Sequence, residues 1–338
     1  MDRAGRVFRV RSHRGRPDRS WTASDAGRRP GPRGTAKDGD MTQPQDNAPV
    51  VVGVDDSDAA LRAVRWGALT ALKHEAPLRL VHAAGFPDLY VGSTIPPPES
   101  FKKELREQKS RSLEAAREVA TATGVTDVQT RFETDPPIPW LLHASRTARM
   151  IVLGSSGRTG LVGMMVGSTT LALATHAHCP VVSVRSDYPE VVAGDERPVL
   201  VGVDGSPVSE RAIGYAFSEA SFRGVDLLAV HTWSDADMDV FTDQRMYFDW
   251  EPIRDVEERR LAERLAGWRE QYPDVTVHRE LVKDRPRHEL LERSGHAQLV
   301  VVGSRGRGGF RGMLLGSTSQ ALIHHAQCPV MIARPESG

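Results

Sequence analysis

The feature that most constrains what this chain can fold into is a single pattern written in it twice. At a constant offset of 149 residues, Gly53 matches Gly202, Asp55 matches Asp204, Ser57 matches Ser206 and His82 matches His231. The register holds through Asp135 and Asp284, Leu141 and Leu290, Gly154 and Gly303, Gly167 and Gly316, and Cys179 and Cys328. A period this long, with landmarks at both ends, is the duplication of a whole domain and not a short solenoid repeat. The length of 338 residues agrees, because one hydrophobic core rarely organises more than about 300. We place the copies at 48–186 and 198–338, joined by a polar linker at 187–197 that carries Pro189 and Gly194.

Within each copy, short β-branched runs alternate with helical patterns, the signature of βαβ units and a parallel sheet. In copy one the strands read at about 50–54, 78–82, 128–132, 150–153 and 181–184. The first is apolar throughout, as a strand covered on both faces must be. Leu61, Val64, Ala68 and Leu72 recur at helical spacing after it, with Ser57 as N-cap. A long helix follows at about 99–122, with Leu113, Ala116, Val119 and Ala120 as its apolar face. Copy two repeats the order. The expected class is α/β: two tandem doubly wound, Rossmann-like domains, each a five-stranded parallel sheet with four helices. Ligands of such sheets bind at the carboxyl ends of the strands.

The glycines after the fourth strand point there. Copy one reads Gly154-Ser155-Ser156-Gly157, nine residues, then Gly167-Ser168; copy two reads Gly303-Ser304-Arg305-Gly306, nine residues, then Gly316-Ser317. Glycines at a strand end let a ligand approach bare backbone amides. Gly167-Ser168-Thr169 and Gly316-Ser317-Thr318 open the last helix, where unsatisfied N–H groups and the helix dipole favour an anion such as phosphate. Arg158 and Arg307 lie in the same loops. No Gly-Lys-Ser/Thr occurs, which excludes a Walker loop, and Gly306 and Gly308 are followed by Arg311, which breaks the dinucleotide fingerprint.

Strand-Gly-Val-Asp-x-Ser (Gly53-Val54-Asp55-Asp56-Ser57 and Gly202-Val203-Asp204-Gly205-Ser206) together with the spaced glycines resembles the universal stress protein family, over about residues 49–335. The resemblance implies an ATP-binding fold with one site per domain, a nucleotide-dependent regulator in the stress response, with Mg as a possible companion ion. Carried over, Asp55 and Asp204 meet the ribose, and backbone near His82 and His231 meets adenine. Gly53 and Gly202 end the first strand. Gly154, Ser155, Gly157, Arg158, Gly167, Ser168 and Thr169, with Gly303, Ser304, Arg305, Gly306, Arg307, Gly316, Ser317 and Thr318, line the phosphates. It also implies pairing through the fifth strand, either between copies of the chain as a homo-oligomer or between 181–184 and 330–333 inside one chain. Copy one departs at Asp56, where the family often has Gly, and at Ser156, where copy two keeps Arg305. Both copies carry an Asp, Asp135 and Asp284, where a Gly is common. The alternatives are a nucleotide-free interaction scaffold and a slow ATP-hydrolysing enzyme; no nucleophile elbow, zincin or kinase motif supports a dedicated catalyst, so no residue is assigned a catalytic role.

The remaining signals are weaker. Lys plus Arg and Asp plus Glu both number 44, giving no global charge for nucleic acid or an anionic membrane. No apolar run reaches the roughly 18 residues of a membrane span. Cys179 and Cys328 lack metal-ligand spacing and read as buried thiols, consistent with the cytoplasm, and His176, His178, His324 and His325 suit helix ends better than a metal. Residues 1–47 read as a disordered arm: the first 40 carry ten arginines and Lys37 against five aspartates, about +6, and Met41 is an alternative start. An aromatic group, Trp233, Phe241, Tyr247, Phe248 and Trp250, sits in the connection after the second strand of copy two.

Overall fold

The computed structural model describes residues 47–85, 98–155, 166–185, 187–188, 194–232, 251–282, 285–307 and 314–335. The N-terminal arm, Ser156, Gly157, Arg158 and the aromatic group after Thr232 lie outside the described residues. Copy one runs β1 (Val50–Gly53), α1 (Asp58–Lys73), β2 (Leu78–Ala83), α2 (Glu99–Thr121), β3 (Val128–Glu133), α3 (Pro137–Ala144), β4 (Met150–Gly154), α4 (Ser168–His176) and β5 (Val181–Val184). Copy two runs β6 (Val199–Val203), α5 (Pro207–Arg223), β7 (Leu227–Thr232), α6 (Glu251–Gln271), β8 (Val277–Val282), α7 (Pro286–Ser294), β9 (Leu299–Gly303), α8 (Ser317–His325) and β10 (Val330–Ala333). The α/β class is as the alternating pattern implies, and the two parallel sheets fuse into one of ten strands, ordered β3-β2-β1-β4-β5-β10-β9-β6-β7-β8.

Alternate residues of the central strands feed opposite cores. Val50 and Val52 join α1 and α2, whereas Val51 joins Leu141 of α3 and Leu173 of α4. The core under α1, α2, α5 and α6 is continuous across both copies. On α1 the buried face differs from the expected one. Val64 and Ala68 are buried, but Leu61 and Leu72 are 36% and 44% exposed, and the contact is made by Ala60, Ala63, Gly67 and Ala71. Small residues let the helix lie close on the sheet: a Cβ on Gly67 would stand 2.6 Å from Val52 Cγ2. The long aliphatic side chains fall outside that contact.

The two sheets join where β5 and β10 pair antiparallel, Val182 opposite Met331. Each strand thereby has a neighbour on both sides, β4 and β10 for one, β5 and β9 for the other. Of the two pairings considered from sequence, the one inside the chain is present. It leaves neither strand an open edge for the expected copy-to-copy contact, because each is flanked on both sides. Behind the joint, α1 and α5 meet through buried polar groups. His74 Nε2 lies 2.9 Å from Glu219 Oε1, and Arg223 donates to Glu219 (3.0 Å), Thr70 (3.0 Å) and Gln298 (3.2 Å). Arg334 donates to the carbonyls of Ala174 and Ala177 at the end of α4, so copy two closes that end of copy one.

Cys179 and Cys328 are free and buried, and burial pushes both thiols up to about 12. Inert packing follows, since the thiolate is the reactive form.

Candidate functional site

In each half the strand order reverses between β1 and β4, or β6 and β9, which opens a crevice at their carboxyl ends. Three segments meet there in copy two: the β6–α5 turn, the loop after β9 and the start of α8. Asp204 closes the turn, accepting from Ser206 N at 2.9 Å through Oδ1 and from Arg307 N at 3.0 Å through Oδ2. The second bond ties the glycine loop to the first strand. Gly306 is required for it, since a Cβ would sit 2.5 Å from Asp204 Oδ2. Gly205 has φ +75°, and a Cβ there would run into the guanidinium groups of Arg307 and Arg264.

The ends of the loop are pinned to each other. Gly316 N donates to Ser304 O (2.8 Å), and Ser319 Oγ donates to Gly303 O (2.6 Å). Copy one repeats both contacts, from Gly167 N to Ser155 O (2.5 Å) and from Thr170 Oγ1 to Gly154 O (3.0 Å). The result in each copy is a strand end and a helix start held side by side.

The helices that start at this crevice fall into two kinds. α1 and α5 are self-capped, with Ser57 Oγ accepting from Ala60 N and Ser206 Oγ from Ser209 N, both at 3.2 Å. α4 and α8 start on Gly167 and Gly316 with no side-chain cap. Ser168, Thr169, Ser317 and Thr318 thus belong to first turns whose amides no side chain closes. Ser304 Oγ is fully buried and finds no partner among the described residues. Arg305 and Arg307 are exposed beside it.

Not every residue singled out from sequence faces the crevice. Gly53 and Gly202 turn their Cα toward the interior: a Cβ would stand 2.5 Å from Leu153 Cδ2 in one and 2.8 Å from Leu290 Cδ1 in the other. Their role in the structure is to admit those leucines. Gly154 similarly lies against the backbone of Ala59 and Ala60, at 2.9 Å from where its Cβ would be, and Gly303 lies against Val208. His82 is buried beside Phe132, and His231 bridges Val203 O (2.6 Å) and Glu257 Oε2 (3.1 Å). The long helices contribute groups that motif spacing could not reveal. Lys109 of α2 is buried and donates to Asp56 Oδ2 at 2.7 Å, Ser112 donates to Asp56 Oδ1 at 2.6 Å, and Arg264 of α6 pairs with Glu210. Asp55 accepts from Ser57 N at 3.0 Å. Asp56 replaces the positive-φ glycine of copy two without adopting its backbone, as Glu75 alone among the described non-glycine residues has positive φ.

The family model described as the universal stress protein family matches residues 47–185 and again 196–334. The chain belongs to the universal stress protein family. A universal stress protein of Mycobacterium tuberculosis is 43% identical over 298 residues, covering 87% of this chain and 99% of the relative. One from Mycolicibacterium smegmatis is 42% identical over 301 residues, covering 87% and 100%. Among solved structures, a universal stress protein from Archaeoglobus fulgidus superposes with a TM-score of 0.63 at 19% identity over 85% of this chain and 98% of its own. That likeness concerns the fold. Among the described residues no helix is long and apolar enough to cross a membrane.

Proposed function

We propose that this universal stress protein binds ATP, one molecule per domain, and acts in the cytoplasm as a nucleotide-dependent regulator. The observation that carries the reading is the contrast between helix starts. At one crevice, α1 and α5 close their own first turns with serine, while α4 and α8 offer uncapped glycine-led turns. A phosphate is the partner that such amides and the helix dipole favour. Arg305 and Arg307 supply positive charge there, and Asp204 stands across the crevice, where a ribose hydroxyl would meet it.

The residues suit holding a nucleotide better than cleaving it. Each Asp204 oxygen accepts one backbone N–H, which fixes the carboxylate and leaves one acceptor site apiece for a ribose hydroxyl, and Lys109 is committed to Asp56 and not to a phosphate. If Mg accompanies the phosphates, it would supply charge neutralisation at their oxygens. The two sites are unequal in this reading: copy two keeps Gly205 and Arg305, while copy one has Asp56 clamped by α2. Calorimetric titration of the purified chain with ATP tests it. Saturable binding with up to two sites is expected, the weaker in copy one, and no binding at about 1 mM ATP sinks the proposal.

A further inference from the structure

The helix α3 has only eight residues and packs through Leu141 into the cluster of Val51, Val81 and Ile151. It stops short of β3, whose Gln129, Thr130 and Arg131 are exposed. A cleft of about 420 Å³ lies in the angle, walled by Arg79, Gln129, Arg131, Trp140, His143 and Ala144. It opens on the α3 side of the sheet, toward the amino-terminal half of β1 and β2, away from the crevice at their carboxyl ends. Its volume falls in the range of small-molecule sites, roughly 300–1,000 Å³.

Duplication supplies the comparison that gives this cleft meaning. At the offset of 149 residues, Arg131, Trp140 and Ala144 become Glu280, Glu289 and Arg293. In copy two Arg293 Nε donates to Glu280 Oε2 at 2.7 Å and the same guanidinium pairs with Glu289. A long cation therefore bridges two acids across the place that Ala144 leaves open. In copy one the guanidinium of Arg131 stands 5.8 Å over the Trp140 ring, with Glu133 as its ion-pair partner, and Arg79 Nε donates to the neutral amide of Gln129 at 3.2 Å. All three substitutions act in one direction: they remove the acids, remove the plug and bring an indole and a cation to one wall.

We propose that this cleft is a second ligand site, confined to copy one, for a small flat aromatic anion of the aromatic carboxylate class. The ring stacks beside Trp140 and Arg131, whose contact already pairs a cation with an aromatic plane. The carboxylate meets Arg79, whose present partner is uncharged and whose planar fork suits a carboxylate, with His143 on the same wall. Nothing in this assignment depends on nucleotide binding.

The test titrates the full chain with 2-naphthoate and follows the indole N–H signal of Trp140 by nitrogen-15 NMR, identified through Trp140→Phe. A saturable shift at that signal is expected by about 1 mM probe, and the neutral analogue 2-naphthamide should bind at least tenfold more weakly. Ala144→Met, which fills the place that Arg293 fills in copy two without adding charge, should weaken naphthoate at least tenfold while the circular dichroism spectrum stays that of the parent. Arg79→Gln serves as the independent variant and should weaken naphthoate while leaving the naphthamide affinity unchanged. No saturable shift at Trp140, equal affinity for acid and amide, undiminished binding in both variants, or displacement of naphthoate by ATP would each overturn the proposal.

Discussion

A single atom decides whether Gly306 can be anything else. Its missing Cβ leaves 2.5 Å to Asp204 Oδ2, and that carboxylate holds Arg307 N. Gly306→Ala therefore forces the loop off the first strand without disturbing the core. We expect ATP affinity at copy two to fall about tenfold or more, equivalent to about 1.4 kcal/mol, with the melting temperature little changed; calorimetry and thermal unfolding measure the two separately. Glu75 makes the opposite argument. It follows the last turn of α1 with φ 50°, where Gly224 occupies the matching place after α5 with φ 68°. Both positions close the same wrap, with Ala76 N donating to Ala71 O (2.9 Å) and Val225 N to Ala220 O (3.1 Å). A left-handed residue with a Cβ costs roughly 1 kcal/mol relative to glycine. Glu75→Gly should therefore stabilise the chain by no more than about 0.5 kcal/mol in urea unfolding, because the entropy cost of glycine in the unfolded chain offsets much of the gain.

At the scale of elements, the succession of strands and helices along each copy was legible because apolar strand runs, period-3.6 helical patterns and the two glycine loops repeat. The apolar spacing of Leu61, Val64, Ala68 and Leu72 picked the right helix and the wrong edge of its face. Hydrophobicity alone favours leucine for the core, but a helix lying flat on a sheet needs small side chains where the two surfaces meet. Gly67→Ala should thus cost about 1–3 kcal/mol by pressing on Val52, as overpacking of a tight contact does. Leu61→Ala should change stability by less than about 0.5 kcal/mol, as exposed substitutions do; denaturant midpoints of the two variants rank them. The same blindness to tertiary contact hid Lys109 and Arg264. They reach the site from helices α2 and α6, which lie far from the glycine motifs in sequence. Gly53 and Gly202 carry a motif signal that, in the structure, comes from packing against Leu153 and Leu290.

For the whole molecule, duplication places two copies of one surface against each other and then lets them diverge. His74 and Arg223 are matching positions, as are Thr70 and Glu219, so the pairs His74–Glu219 and Arg223–Thr70 are one contact made twice about a pseudo-two-fold axis. Two identical copies could not place one carboxylate between an imidazole and a guanidinium in this way. Burial raises the Glu219 pKa, but the charges and hydrogen bonds of His74 and Arg223 outweigh it and bring the carboxyl from 4.5 down to about 2. A depressed folded-state pKa contributes stability that is complete above the unfolded value and lost as pH falls through the folded one. The window here runs from about 4.5 to about 2, and the shift corresponds to roughly 3 kcal/mol. Other carboxylates also titrate there, so the informative quantity is the difference from Glu219→Gln, in which His74 and Arg223 still face position 219 and Thr70, Gln298 and Trp66 still hold Arg223. The variant should be the less stable protein near pH 6, because a buried pair has lost its anion, and the gap in urea-unfolding free energy should narrow steadily towards pH 3. A gap that stays constant over that range would mean that the carboxylate is not what holds α1 against α5.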